Sequence, residues 1–271
     1  MLRQPVVAGS FYPADKARLA AMLDGFLVSD REIPGVVAAV VPHAGYIYSG
    51  IAAGALFAAI DIPETVLILC PNHSGYGHPY GVYDSGSWRT PLGDVPVDEK
   101  LAAAILKDVP FAKSDTLSHA REHSLEVDLP FLQRRRGDVK IVPICIGEHN
   151  YPRLVKLGEG IAAAVRASGV ETLILASSDM THHETAESAA RKDNMAIERM
   201  LAMDEEGLWL TVERHDITMC GVAPAVAAIA AARVLGAVEG RLVKYTTSAD
   251  YTGDASDVVA YASVAFTREG Q

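Results

Sequence analysis

Cysteine is scarce in this chain: its 271 residues include three, Cys70, Cys145 and Cys220, an odd number at wide spacing. They cannot build a disulfide framework, and the count suits a reducing compartment. Basic charge is also short. Lys and Arg number 24 against 34 Asp and Glu, a formal net charge of −10. A nucleic-acid surface needs clustered cations, and the densest basic run, RRRGDVK at 134–140, reads instead as charge complementing a helix C-terminus. Long apolar runs are missing. The least polar stretch, residues 220–236, is alanine-rich, interrupted by Pro224 and too short to span a bilayer. The N-terminus, MLRQPVVAGSFYPADKARL, has no continuous apolar segment, so neither a signal peptide nor an anchor is expected and a cytoplasmic address follows. The sequence has no G-x-S-x-G elbow and no G-x-x-x-x-G-K-[ST] phosphate loop. GYGHPYG at 75–81 imitates a dinucleotide fingerprint without its third glycine at the needed offset, so nucleotide cofactors are not expected.

What the chain does have is a regular alternation. Short apolar runs at 35–41 (GVVAAVV), 65–70 (TVLILC), 139–146 (VKIVPICI) and 171–178 (ETLILASS) read as interior strands, because strands buried on both faces become continuous apolar runs. Helix-like stretches at 49–60, 98–108, 122–136 and 150–168 separate them. The Gly-, Pro- and aromatic-rich segment 80–97 reads as short strands or loops. Beyond Thr185 two or three helices precede strands at 241–247 and 257–266. With no repeat and no polar linker, the expectation is one α/β domain over 1–271, a central mostly parallel or mixed sheet flanked by helices.

In an open α/β sheet, ligands bind outside the carboxyl ends of the strands. Three strands end there in imidazoles: AAVVPH in His43, LILCPNH in His73, and LILASSDMTHH in Asp179, His182 and His183. His43 and His73, each with a proline within two residues upstream, could meet at one metal from adjacent strands. A third ligand is open among Cys220, Asp179 and the carboxylates Asp250, Asp254 and Asp257. Cys220 precedes a glycine at an expected helix start, where the dipole would favour thiolate; Cys70 and Cys145, inside apolar strands, read as core filler. Asp179 reads equally well as an N-cap of the following helix. His182 or His183 could act as acid or base, and one of the adjacent pair must point away. In HAREHSLE at 119–126, His119 and His123 have the four-residue spacing of the H-E-x-x-H motif, but Ala120 replaces its glutamate. His123 therefore reads as a pocket-wall or supporting residue, with Glu126 in the first turn of a helix starting near Glu122.

Six motifs, RQPVVAGSFYP, VPHAGYIYSG, PNHSG, EHSLEVDLPFLQ, SSDMTHH and MCGVAP, occur in an order and spacing that resemble the Memo family, over about residues 3–266. The resemblance implies a fold similar to the class III extradiol (LigB-type) dioxygenases. It implies metal ligands at His43, His73 and Cys220, active-site roles for His182 and Asp179, and a match of His123 to the family's EHSLE histidine. It also implies AMMECR1-like and radical SAM partner proteins. Where those dioxygenases hold Fe(II) with two histidines and a carboxylate, a thiolate here would be softer and itself oxidisable. Ring cleavage therefore does not follow from the fold.

The leading expectation is a metal-dependent oxidoreductase, with Fe(II) ahead of Cu or Zn, acting on a small aromatic or planar substrate. His182, Asp179 and His123 would be its catalytic residues, and Tyr46, Tyr48, Trp88 and Tyr251 its pocket walls. The alternatives are an adaptor that binds a peptide, a phosphopeptide or a partner protein around a non-catalytic metal, and a metal-dependent hydrolase. A homodimer is left open.

Overall fold

Each interior strand is uniformly apolar, so both of its faces need cover, and the chain supplies helices to both. The computed structural model describes residues 1–268; the last three of the expected 1–271 domain lie outside the described residues. The chain runs β1 (Leu2–Arg3), α1 (Lys16–Phe26), β2 (Val36–Val41), α2 (Tyr46–Ala59) and β3 (Thr65–Pro71). The short strands β4 (Tyr80–Val82), β5 (Ser87–Thr90) and β6 (Gly93–Pro96) follow. Next come α3 (Glu99–Asp108), β7 (Lys113–Ser114), α4 (Ser124–Arg135), β8 (Lys140–Ile146), α5 (Tyr151–Ser168) and β9 (Thr172–Ser177). The chain ends with β10 (His182–Glu184), α6 (Ala186–Leu201), α7 (Glu205–Arg214), α8 (Val222–Val234), β11 (Glu239–Thr247), α9 (Ala249–Thr252) and β12 (Val258–Thr267).

Nine strands form one mixed sheet in the order β10-β12-β2-β9-β3-β8-β4-β7, with β11 paired to β12. Its centre, β2-β9-β3-β8, is parallel, and antiparallel β12 and β4 extend it on either side. The expected α/β fold is present, with a mixed sheet. One detail differs: β2 and β3 are not adjacent, because β9 pairs with both. A small second sheet, β1-β5-β6, carries the N-terminus.

Local chemistry sets the helix starts. Asp15, Asp98, Asn150, Thr185 and Asp204 each accept a backbone N–H of the first turn, the usual side-chain N-cap. α2 has no such cap and begins at Tyr46 rather than after Ser49, since Gly45 is its N-cap and the Tyr46 N–H is taken by the Phe11 carbonyl at 2.8 Å. A partner supplied from thirty-five residues away leaves no local signature. The alanine-rich α8 is buried along most of its length and packs closely on α5, where a Cβ on Gly158 would collide with the Ala227 carbonyl and Ala230. Among the described residues no helix is long and apolar enough to cross a membrane.

Candidate metal centre

The carboxyl ends of β2, β3 and β9 open on one edge of the sheet, and the loops leaving them carry His43, His73 and Asp179. The third imidazole is His123, in the turn entering α4. One ligand atom from each of His43, His73 and His123 lies within 4.8 Å of the others. The ring centroids of His43 lie 5.4 Å from His73 and 5.6 Å from His123, and those of His73 and His123 are 4.8 Å apart. Burial is graded, from buried His43 through half-buried His123 to exposed His73, so the cluster opens to the surface on the β3 side.

Two of the rings have their Nδ1 engaged. His73 Nδ1 lies 2.8 Å from Glu122 Oε1, and Glu122 Oε2 accepts the His73 backbone N–H at 2.7 Å. Glu122 also accepts from His123 N, Ser124 N and Ser124 Oγ. Although burial opposes its charge, these donors, His73 foremost, bring the carboxyl down to about 2. The carboxylate is therefore ionised at neutral pH, and a carboxylate can only accept. That fixes His73 as the Nδ1–H tautomer and leaves Nε2 as its free nitrogen. His43 Nδ1 lies 2.9 Å from Ser177 Oγ, which donates toward Ser124 O and Asp128 Oδ2, each at 3.0 Å. Imidazole ligands are commonly oriented this way, with the second nitrogen tied to a carboxylate, carbonyl or hydroxyl.

Protonation suits a cation as well. Burial lowers the pKa of His43 far below the ordinary imidazole value and lowers that of His123 too, while the other ring charges add to the effect. For His73, burial is outweighed by the Glu122 hydrogen bond and charge, which raise it. Metal binding needs neutral imidazole, and two of the three rings are held in that form. Three converging imidazole nitrogens, two of them on rings whose Nδ1 is already engaged, could hold a metal ion; the donor set suits Zn, Fe, Cu or Ni.

Cys220 lies beside this cluster, with Sγ 3.4 Å from His43 Nε2 and accepting the Asp179 N–H at 3.2 Å. A Cβ on Gly221 would strike the Ser177 carbonyl and Ser178, so the turn after Cys220 fits only glycine. The expected lowering of its pKa is not found. Burial, reinforced by the Asp179 charge, pushes the thiol up, and Cys220 precedes the N-cap of α8 rather than standing inside its first turn. Asp179 does not cap a helix either: its Oδ1 accepts the His43 backbone N–H at 2.8 Å, and Thr185 caps α6. Burial raises the Asp179 carboxyl.

His182 Nδ1 donates to the Thr218 carbonyl at 2.9 Å, which leaves Nε2 as its basic nitrogen. His183 is the member of the pair that turns away, exposed, at φ 57° and 3.3 Å from Asp257. The four expected pocket walls divide evenly. Tyr48 and Tyr251 meet edge to face at 5.5 Å, half-buried and 61% exposed respectively. Tyr46 and Trp88 are fully buried and line no pocket. Tyr46 packs on Phe131 at 4.8 Å and donates to the Val127 carbonyl, and Trp88 lies under the Arg3 guanidinium at 4.1 Å. Both are too large and apolar to leave the core once a partner takes their polar edge or face.

Sequence reasoning missed His123 as a member of the imidazole cluster, and Glu122, Ser177 and Asp128 as its supports. All four lie inside quoted motifs, but spacing alone does not say which side chains turn inward. His119, four residues before His123, is outside the cluster: it is buried against Tyr83 and Trp88, with Nε2 donating to the Gly81 carbonyl at 2.9 Å.

A family profile described as "Memo-like protein" matches residues 3–265. A MEMO1 family protein of Methanopyrus kandleri is 41% identical over 285 residues, covering 99% of this chain and 100% of the relative. One of Aquifex aeolicus is 44% identical over 269 residues, covering 98% and 99%. Among solved structures, an uncharacterized protein of Escherichia coli K12 superposes with a TM-score of 0.55 at 14% identity, covering 84% of this chain and 98% of that one; this likeness supports the fold.

Proposed function

The chain belongs to the Memo-like protein family, and from that membership and the imidazole cluster we propose that it is a metal-dependent oxidoreductase acting on a small aromatic or planar substrate. The observation that carries this reading is the convergence of His43, His73 and His123, with Nδ1 of the first two already engaged. Cys220, beside His43, competes with His123 for the third ligand position. A bound divalent metal, Fe(II) first and Cu or Zn after it, would supply Lewis acidity and, for iron or copper, redox chemistry.

The chain's own residues supply the rest. His182, held by Thr218, keeps Nε2 free to take the proton of a substrate hydroxyl. Asp179 pins the backbone of His43. Tyr48 and Tyr251 offer a planar substrate an aromatic edge and face at the surface. A cytoplasmic address, and association with AMMECR1-like and radical SAM proteins, complete the proposal.

The test is anaerobic loading with iron, followed by metal analysis and oxygen uptake against a panel of catechols. His43→Ala and His73→Ala should each abolish metal retention. Cys220→Ser and His123→Ala, assayed side by side, identify the third ligand by which one loses the metal. Full metal content in His73→Ala would overturn the site. Binding of a phosphotyrosine peptide by metal-free protein, without oxygen uptake by the loaded form, would favour the adaptor class.

A further inference from the structure

The buried helix α4 contains a carboxyl side chain that its packing does not explain. Its residues from Ser124 to Leu132 are all buried, and around Asp128 they are apolar: Leu125, Val127, Leu129 and Phe131. Asp128 itself is wholly buried, and its Oδ1 has no hydrogen-bond partner among the described residues. Its one polar contact is Oδ2 with Ser177 Oγ at 3.0 Å, and that hydroxyl is the contact of His43 Nδ1 at 2.9 Å. A buried carboxyl with half its hydrogen-bonding capacity unused is costly among apolar side chains, and such costs concentrate where function requires them.

We propose that Asp128 is a positioning residue that, through Ser177, holds His43 in the Nδ1–H tautomer and so presents its Nε2 to the metal position. The inference rests on the metal-site reading given above. The Ser177 hydroxyl has one proton and two oxygens to draw it away from the ring, Ser124 O and Asp128 Oδ2, each at 3.0 Å. The third approach to Ser177 Oγ is occupied by His43 Nδ1, which must then donate. With Asp128 gone, one of the two anchors is lost and the hydroxyl proton can turn toward Nδ1, which would move the ring proton to Nε2 and block the ligand atom. His43 and His73 are thus supported alike: a buried carboxyl near the start of α4 acts on each, Glu122 directly on His73 and Asp128 across a hydroxyl on His43. Outer-sphere partners of this kind typically change metal affinity about 10–100-fold.

Two readouts test it. In metal-free protein with 15N-labelled histidine, long-range 1H–15N NMR reports the His43 tautomer; in parallel, Co(II) affinity is measured by competition with a chelator. Asp128→Leu and Ser177→Ala should each convert the single His43 tautomer to a mixture and weaken Co(II) binding about 10–100-fold. Asp128→Asn, which keeps an oxygen for Ser177, should remain near the parent in both. An unchanged tautomer with Co(II) affinity within about twofold in Asp128→Leu would overturn the relay, as would equal losses in Asp128→Asn and Asp128→Leu. If Asp128→Leu does not fold, Ser177→Ala carries both readouts alone and an unchanged result there overturns the relay. If the parent takes up no Co(II), the metal reading fails while the tautomer measurement still decides the relay.

Discussion

His119 and His123 stand four residues apart and face different surroundings. His123 joins the open imidazole cluster, whereas His119 is sealed beneath the second sheet, with Nδ1 unpartnered and its ring edge-on to Tyr83 and Trp88. Burial brings the His119 imidazole down to about 4, so it is neutral in the native protein, while the unfolded chain takes up a proton near the ordinary imidazole value of about 6.5. The native state therefore binds fewer protons between those values. The stability that neutral His119 contributes is complete above about pH 6.5 and is lost as pH falls toward 4, a loss of about 3 kcal/mol for a shift of this size. Urea unfolding of metal-free protein at pH 7, 5.5 and 4.5 should show that decline. His119→Gln, which keeps a donor for the Gly81 carbonyl, should make it shallower, leaving the part that His43 and His123 contribute. At this scale the sequence was informative about His43 and His73, because a proline-punctuated strand exit announces itself. It was uninformative about Tyr46 and Trp88, whose aromatic rings are equally suited to a pocket wall and to a core.

Among the elements, α5 and α8 depend on small residues for contact, and so does the turn that delivers Cys220. At Gly158 the α8 backbone passes too close for a side chain; at Gly221 the carbonyl of Ser177 does. The two glycines should separate stability from site geometry. Gly158→Ala forces the helices apart and is expected to cost about 1–3 kcal/mol by the usual penalty of overpacking, read in urea unfolding, with metal affinity unchanged in the folded fraction. Gly221→Ala displaces the Cys220 turn from Ser177 and should weaken Co(II) binding in a chelator competition by more than its stability loss accounts for. The strands and most helices were legible from apolar periodicity; the start of α2 was not, since its first N–H is satisfied by Phe11, and β9 inserts between β2 and β3 by a pairing no local pattern encodes.

Across the whole molecule, the N-terminus is tied to the site's supporting helix by a buried ion pair. The Arg3 guanidinium donates to the Glu126 carboxylate, to the Glu122 carbonyl at 2.6 Å and to the His119 carbonyl at 3.2 Å. Glu126 also accepts from Val6 N, Val7 N and Tyr12 Oη. A buried pair adds little over an apolar replacement, but removing one partner strands the other charge. Arg3→Ala should therefore cost about 3–5 kcal/mol, measured by urea unfolding, and the double variant Arg3→Met/Glu126→Gln should recover part of it. Because one buried core runs from Tyr12 to Phe266, circular dichroism and tryptophan fluorescence should report that loss as one coincident transition.

Apolar periodicity and six ordered motifs were enough to establish an α/β chain of the Memo-like family with histidines at its strand ends, since these depend on neighbours a few residues apart. The tertiary structure alone decided that His123 joins His43 and His73 while His119 does not, that Asp179 pins a backbone instead of capping a helix, and that Glu122 and Asp128 stand behind two of the imidazoles. Those outcomes turn on which side of a strand or turn a side chain faces and on what a distant segment brings against it. Burial, hydrogen-bond partner and charge are properties of that assembled surrounding, and a residue's identity does not carry them.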